Sequence, residues 1–201
     1  NNRLLMKFKI FNYEEVTSTN DIAMNLIKGR EISFGYVSAK TQTKGRGTRG
    51  REWVSERGNL FGSIFFPLKK NYPEFNEFSV INPIIISNVL KNFCEFKSIN
   101  LKYPNDIFVN KKKICGILQE KINFNNIDFL IIGVGINLVS NPILNNNYKA
   151  TNILDETKKK PENNKVVDLL LSSYEKFFVD LDSYNYHNYK KKADSMALSG
   201  E

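Results

Sequence analysis

Between positions 41 and 53 the chain reads Thr41-Gln42-Thr43-Lys44-Gly45-Arg46-Gly47-Thr48-Arg49-Gly50-Arg51-Glu52-Trp53. Three glycines and three arginines fall within seven residues, and the stretch closes on the only tryptophan. Glycine lets the backbone turn sharply and present bare N–H groups to an anion. Arginine adds forked donors that suit phosphate and carboxylate. The stretch therefore reads as a loop built to hold something negatively charged, with a flexible basic loop as the plainer alternative. A strand at 34–39 leads into it, and a second strand at 59–66 follows it.

Gly45-x-Gly47-x-x-Gly50 also matches the letters of the dinucleotide-binding fingerprint. That fingerprint has meaning only where a strand ends and a helix begins, with an acidic residue about 20 positions on. Arg51-Glu52-Trp53-Val54-Ser55-Glu56-Arg57-Gly58 follows here and carries no helical apolar stripe. Nicotinamide and flavin binding are set aside on that ground. The phosphate-loop ending Gly-Lys-Ser/Thr is missing as well.

A length of 201 residues fits one substantial domain, and 41% hydrophobic residues with fifteen phenylalanines can fill a core. Lys+Arg 29 against Asp+Glu 21 gives a net charge of +8, which favours an acidic partner. The chain is heavy in asparagine and lysine, as at 123–126, 145–147 and 158–160, a compositional habit in the manner of solvated loops. Cys94 and Cys115 form neither a CxxC pair nor a disulfide framework. This points to a reducing compartment: cytoplasm, or an organelle stroma or matrix had a leader been removed. Cys115 lies in an apolar strand and reads as a small buried hydrophobe. His187, the only histidine, reads as a surface residue, which argues against a Ser-His-Asp or Cys-His site and a multi-histidine metal site. No metal-ligating residues are expected. No segment approaches the roughly 20 apolar residues of a membrane span, and no signal peptide is visible. The chain starts at Asn1 rather than methionine, as a processed or fragment form would.

Alternation at 6–11 suits a strand. Ser18 or Thr19 caps a helix through about Lys28, with Ile22, Ala23, Leu26 and Ile27 on one face and Gly29 as its stop. Residues 75–96 have helical spacing, and Pro83 inside them means a kink or a late start. Short strands are predicted at 101–103, 107–109 and 114–120, the last two joined by a turn at 110–112, and a buried strand at 127–133. A helix at 166–181 turns Val167, Leu170, Leu171, Tyr174, Phe177 and Phe178 inward. The tail from Tyr184 is polar and weakly patterned. The outcome is an α+β fold: a mixed β-sheet with helices packed on it.

Two further motifs carry chemistry. In Leu101-Lys102-Tyr103-Pro104-Asn105-Asp106-Ile107 the proline pushes Tyr103 into an extended conformation, so a turn leaves a strand there. Seven residues after Asp106 comes Lys113-Ile114-Cys115-Gly116-Ile117-Leu118-Gln119-Glu120. Alternation puts Lys113, Cys115, Ile117 and Gln119 on one face. Gly133-Val134-Gly135-Ile136-Asn137 then ends a buried strand with two glycines, which often marks close approach of a ligand or another backbone.

In this order the motifs resemble the biotin protein ligases (biotin–[carboxylase carrier] ligases, holocarboxylase synthetases). The resemblance runs from Thr17-Ser18-Thr19-Asn20 to about Ala150-Thr151-Asn152, and more loosely to Ser199-Gly200-Glu201. It implies the catalytic domain shared with lipoate ligases and similar to class II aminoacyl-tRNA synthetases, covering 1–201. The DNA-binding helix-turn-helix of some members is expected to be absent, and the small C-terminal β domain absent or truncated. It implies that biotin and MgATP give biotinyl-5′-adenylate and pyrophosphate, and that a lysine of a biotin carboxyl carrier domain then takes the biotinyl group. Monomer or homodimer, no nucleic acid and no membrane complete the expectation. A lipoate or octanoate ligase is the nearest rival, but its usual Arg-Arg-x-x-Gly-Gly-Gly type of loop is missing. A nucleic-acid-binding module is the rival from another class.

By family position, biotin is met by Ser18, Thr19, Asn20, Gln42, Gly45, Arg46, Lys113 and the backbone near Gly116, with Trp53 as an apolar wall. ATP and the adenylate are met by Arg46, Gly47, Thr48, Arg49, Arg51, Trp53, Asn105, Lys113 and Asn137, where Arg49 and Arg51 either meet phosphates or close the loop. Lys113, Arg46 and Asp106 carry the catalysis: the two cations neutralise carboxylate and α-phosphate, and Asp106 orients or deprotonates the incoming lysine. Magnesium arrives with ATP, held by phosphates and water.

Two positions depart from the family pattern: Tyr103 stands for a usual tryptophan, and Thr48 for a frequent arginine. Losing one charge-assisted hydrogen bond of roughly 1.5–3 kcal/mol weakens adenylate retention on the order of 10–100-fold. The expected outcome is leaky release of the reactive intermediate. Bystander lysines should be biotinylated more by this chain than by its Thr48→Arg variant; equal labelling would count against it.

Overall fold

Two neighbouring strands that run the same way need a crossover, and the first helix supplies it. In the computed structural model, which describes residues 7–94, 98–142 and 148–199, β1 (Lys9–Val16) and β2 (Gly35–Gln42) pair in parallel. Helix α1 (Thr19–Arg30) joins them. The other pairs are antiparallel: β3 (Leu60–Pro67), β4 (Ile99–Lys102), β5 (Asp106–Val109), β6 (Lys112–Phe124) and β7 (Ile127–Ile136) complete a seven-stranded mixed sheet in the order β1-β2-β3-β7-β6-β5-β4. Residue 6 of the first expected strand, the 95–96 end of the long helix, the asparagines at 145–147 and the final residues 200–201 lie outside the described residues.

The sheet is covered on both faces. On one, Ala23, Leu26 and Ile27 of α1 pack on Val37, Phe65, Phe129 and Ile131. On the other lies the larger core, where α2 (Phe75–Lys91) and α4 (Asn163–Val179) press Phe78, Ile81, Ile85, Leu170 and Tyr174 onto Ile64, Cys115, Ile117, Leu130, Ile132 and Val134. A short α3 (Ile153–Thr157) precedes α4. Buried polar groups stitch this core together. Tyr174 Oη donates to Asn82 Oδ1 at 2.8 Å, Asn82 Nδ2 to Gln119 Oε1 at 2.8 Å, and Gln119 Nε2 to the Phe75 carbonyl at 2.8 Å.

Several expectations shift. The first strand starts at Lys9 and continues to Val16. Helix α1 runs past Gly29, and Glu31 takes the left-handed cap at φ 54°. Pro83 sits inside α2 without ending it or delaying its start. Two of the hairpin turns use left-handed pairs, Asn110-Lys111 and Asn125-Asn126 (φ 49° to 63°), so the asparagine run at 123–126 has a conformational job. The tail is not structureless: α5 (Tyr186–Ser195) buries Ala193 and sets Tyr189 against Phe177 and Tyr184. Beyond it, the Leu101 N–H donates to the Met196 carbonyl and the Leu198 N–H to the Leu101 carbonyl, which covers the β4 edge. His187 is exposed, as expected.

Tyr174→Phe leaves the buried Asn82 oxygen without its donor. A loss of about 1–3 kcal/mol in unfolding free energy is expected from denaturant melts. An unchanged midpoint would mean that the Tyr174–Asn82–Gln119 chain holds nothing.

Candidate active site

The cavity lies on the α1 face of the sheet, where β6 and β7 lack side chains. Gly116 and Gly135 stand directly opposite each other in the ladder, and Gly133 opposes Leu118. The Trp53 indole lies over the bare pair. A Cβ at Gly116 would come within 2.5 Å of Trp53 Cζ3, and one at Gly135 within 2.5 Å of Trp53 Cε2. A Cβ at Gly133 would meet Asn20 Oδ1 at 2.7 Å. These glycines are required for close approach of side chains.

Loop 43–55 is pinned to deliver that indole. The Trp53 N–H donates to the Gly45 carbonyl at 2.8 Å, and the Gly47 N–H to the Arg51 carbonyl at 2.7 Å. Ser55 Oγ donates to the Trp53 carbonyl at 3.1 Å, and Gln42 Nε2 to Ser55 Oγ at 3.0 Å. Within it Thr48–Gly50 form a 3-10 turn, with Arg49 and Gly50 at φ 57° and 71°. The N-terminus of α1 enters the same space. Ser18 is the N-cap residue by backbone, but its side chain makes no capping bond; Gln42 Oε1 accepts from the Thr19 N–H at 2.9 Å instead. Ser63, which the sequence reading passed over, donates to Thr19 Oγ1 or Asn20 Oδ1 and fixes both.

Lys113 is on the cavity face for a reason that alternation does not give. The β5–β6 ladder slips between Ile107 and Phe108: Ile107 opposes Cys115, but Phe108 opposes Lys113. Ile114 is the extra residue of a bulge. Lys113 therefore shares a face with Asp106 and Gly116, not with Cys115, Ile117 and Gln119, which corrects the face assigned to it from sequence. Its Nζ is 3.0 Å from Asp106 Oδ1 and 5.3 Å from the Trp53 ring centroid. Segment 149–151 takes over the backbone pairing at the bulge, with the Lys113 N–H bound to the Lys149 carbonyl and the Thr151 N–H to the Lys113 carbonyl. Asn137 is buried at the end of β7, its amide donating to the Thr151 carbonyl at 3.1 Å.

Arg46 is not a free cation. Nη1 and Nη2 form a fork to Glu120 Oε2 and Oε1 at 3.0 and 2.7 Å, and Nη2 also reaches Asp21 Oδ1 at 2.7 Å. Asn20 Nδ2 donates to Glu120 Oε1 at 2.9 Å. Arg46 is held above its ordinary pKa, chiefly by the hydrogen bond to Glu120. Burial pushes the Glu120 carboxyl up, but bonds from Arg46 and Asn20 and the Arg46 charge outweigh it and hold the group below its usual value. The pair thus stabilises the fold above the usual carboxylate range and loses that contribution as pH falls through the depressed value.

The walls of the cavity, about 130 Å³ in volume, bring together Ser18, Thr19, Asn20, Gln42, Arg46, Gly47, Thr48, Arg51, Trp53, Asp106, Lys113, Gly116 and Asn137. Three nominated residues are outside the wall. Gly45 is buried under the Trp53 carbonyl, Arg49 is exposed, and the Asn105 amide donates to the Ile117 carbonyl at 2.9 Å. Glu52, Val54, Leu118 and Gly133 line it without having been singled out as site residues from sequence. Cys94 and Cys115 are both buried, and burial pushes the Cys115 thiol far up. Among the described residues no helix is long and apolar enough to cross a membrane.

Comparison with known proteins places this geometry. Residues 13–137 match the model of the Biotin/lipoate A/B protein ligase family. The chain is 27% identical over 175 residues to the biotin–[acetyl-CoA-carboxylase] ligase of Paracoccus denitrificans, covering 84% of this chain and 72% of that protein. It is 33% identical over 125 residues to the bifunctional ligase/repressor BirA of Escherichia coli, covering 61% of this chain and only 38% of the relative. Among solved structures, the biotin protein ligase from Aquifex aeolicus in complex with biotin and ATP superposes with a TM-score of 0.77 at 28% identity, over 94% of this chain and 78% of that one. The Leishmania major biotin protein ligase shares the fold, with a TM-score of 0.83 at 24% identity over 96% and 84% of the two chains.

Gly135→Ala forces the indole off the floor of the cavity. The emission of the only tryptophan should shift to the red and become more open to acrylamide quenching. Emission identical to that of the parent would show that Trp53 does not rest there in solution.

Proposed function

The chain belongs to the Biotin/lipoate A/B protein ligase family, and from that premise we propose that it activates biotin with ATP and passes it to a carrier-domain lysine. In the first step a carboxylate oxygen of biotin attacks the α-phosphorus, and pyrophosphate leaves. Two anions must meet, so the site has to supply cations that are already in place. Lys113 and Arg46 face the cavity, each held by a carboxylate of the chain. In the second step the carrier lysine attacks the acyl carbonyl and AMP leaves. Asp106, 3.0 Å from Lys113, is the group that orients or deprotonates that amine.

The observation that carries this reading is the Lys113–Asp106 pair beside the Trp53-covered glycine floor, at the mouth of an α1 N-terminus lined by Ser18, Thr19 and Asn20. A floor of indole and glycine backbone ringed by fixed polar groups suits a bicyclic urea with a carboxylate tail. Thr48, Arg51 and Asn137 are assigned to the nucleotide side. Magnesium enters with ATP: among the described residues no group of three or more His, Cys, Asp or Glu could hold a metal, and this ion is ordinarily held by phosphate and water. The acceptor is the carrier domain of a biotin-dependent carboxylase, and the surplus of positive charge would speed encounter with an acidic one. The engaged state of Arg46 favours a small anion over nucleic acid. Two cysteines without a CxxC spacing fit a reducing compartment, cytoplasmic or organellar.

Pyrophosphate exchange into ATP tests the proposal, driven in parallel by biotin, lipoate and octanoate. Biotin alone should drive exchange, and Lys113→Ala should lower it by about 100-fold or more. Exchange driven by lipoate, or by none of the three acids in a folded sample, would overturn it.

A further inference from the structure

Arg46 has five N–H donors in a rigid fork. Three are engaged: one on Nη1 and one on Nη2 by Glu120, and the second on Nη2 by Asp21. Glu120 takes the end-on pair, bridging both terminal nitrogens. Asp21 takes one half of the side-on pair, the half on Nη2. The other half is the Nε–H, which is buried and has no partner among the described residues. A buried guanidinium N–H without an acceptor is costly, and a carboxylate or phosphate arriving side-on would satisfy it and Nη2 together.

We propose that the two carboxylates have opposite roles toward the anionic group of the substrate: Glu120 is a positioning residue that fixes Arg46, and Asp21 is a placeholder that the substrate anion displaces. The inference rests on the ligase reading for the identity of the anion, but not for the division of the guanidinium. Glu120 is the better anchored of the two. It grips with both oxygens, receives a further bond from Asn20, and its side chain is 26% exposed. Asp21 grips with one oxygen from the first turn of α1, and its side chain is 43% exposed. Displacing Asp21 breaks one bond and lets the arriving anion make two. Displacing Glu120 would also strip Asn20 of an acceptor.

The signs of two neutralising substitutions separate this from simpler accounts. Asp21→Asn removes the competitor, so anions should bind about 2–5-fold tighter. Glu120→Gln turns an amide N–H₂ toward Arg46, loosens the fork, and should weaken binding about 10-fold. If net charge alone governed the site, both variants would tighten binding, because each removes one negative charge. If both residues were only structural, both would weaken it.

The experiment is calorimetric titration of the parent chain, Asp21→Asn and Glu120→Gln with biotin and, separately, with inorganic pyrophosphate. Glu120→Asp is included as a charge-keeping variant expected to fall between parent and Glu120→Gln. Trp53 emission reports whether each variant is folded, and Glu120→Asp takes the place of Glu120→Gln should the latter not fold. Tighter binding by Asp21→Asn together with weaker binding by the Glu120 variants supports the proposal, and the reverse pair of signs overturns it. Equal signs, or no change with Asp21→Asn, overturn it. Failure of biotin to bind while pyrophosphate binds would count against the ligase reading, and the pyrophosphate series would still decide the roles of Asp21 and Glu120. Failure of both anions to bind the parent chain would overturn the proposal.

Discussion

An indole needs a flat, side-chain-free place to lie, and a β-sheet offers one only where glycines meet across the ladder. Gly116 and Gly135 meet in this way, and Trp53 rests on them. Much of the site follows from that contact. It fixes the far end of loop 43–55 against the sheet, while Gln42, Gly45 and Ser55 fix its base. Arg46 is thereby held within reach of β6 and α1, and Lys113 has an aromatic face beside its ammonium. Gly133 extends the bare strip and makes room for Asn20, which in turn supports Glu120. Loop, helix and sheet are coupled through close contacts rather than through one large hydrophobic interface.

The second constraint is electrostatic. Lys113 and Arg46 are each paired with carboxylates of the chain, so the site does not leave two partly buried charges uncompensated before substrate arrives. Such pairs keep cations in place with their geometry set in advance. A reaction that must bring a carboxylate to a phosphate gains most from charges that do not have to reorganise. The same arrangement sets a selectivity: an anion must offer Arg46 better geometry than Asp21 does.

How much of this the sequence disclosed depends on whether the information was local. The glycine–arginine loop, α1 and the sheet with its hairpins were all legible from residue types and spacing. The roles of Asp21 and Glu120 were not, because a carboxylate on a helix or an alternating strand reads as solvated; only tertiary pairing with Arg46 distinguishes them. Helix α5 was missed because its buried surface consists of Ala193 and the sides of tyrosines, too sparse to make an apolar stripe. The left-handed asparagines of the β6–β7 turn were hidden among other asparagines and taken for composition. The face of Lys113 was misjudged although the signal was present. In a regular strand, residues on one face are separated by an even number of positions. Lys113 and Gly116 are three apart, and both belong to the cavity, so the strand between them had to contain an irregularity.

That irregularity has an evolutionary consequence. Ile114 is surplus only to the β5 ladder: its side chain is fully buried and its carbonyl accepts from the Asn137 N–H at 2.9 Å, so losing its codon would cost the core a side chain and the end of β7 a bond. Regular alternation would then return with Lys113 two positions before Gly116, so the ammonium would keep the cavity face beside Asp106. The extra residue therefore serves the core and the Asn137 backbone, and a one-residue gap here in a descendant would report a repacked core and a released Asn137 rather than a lysine that has left the cavity.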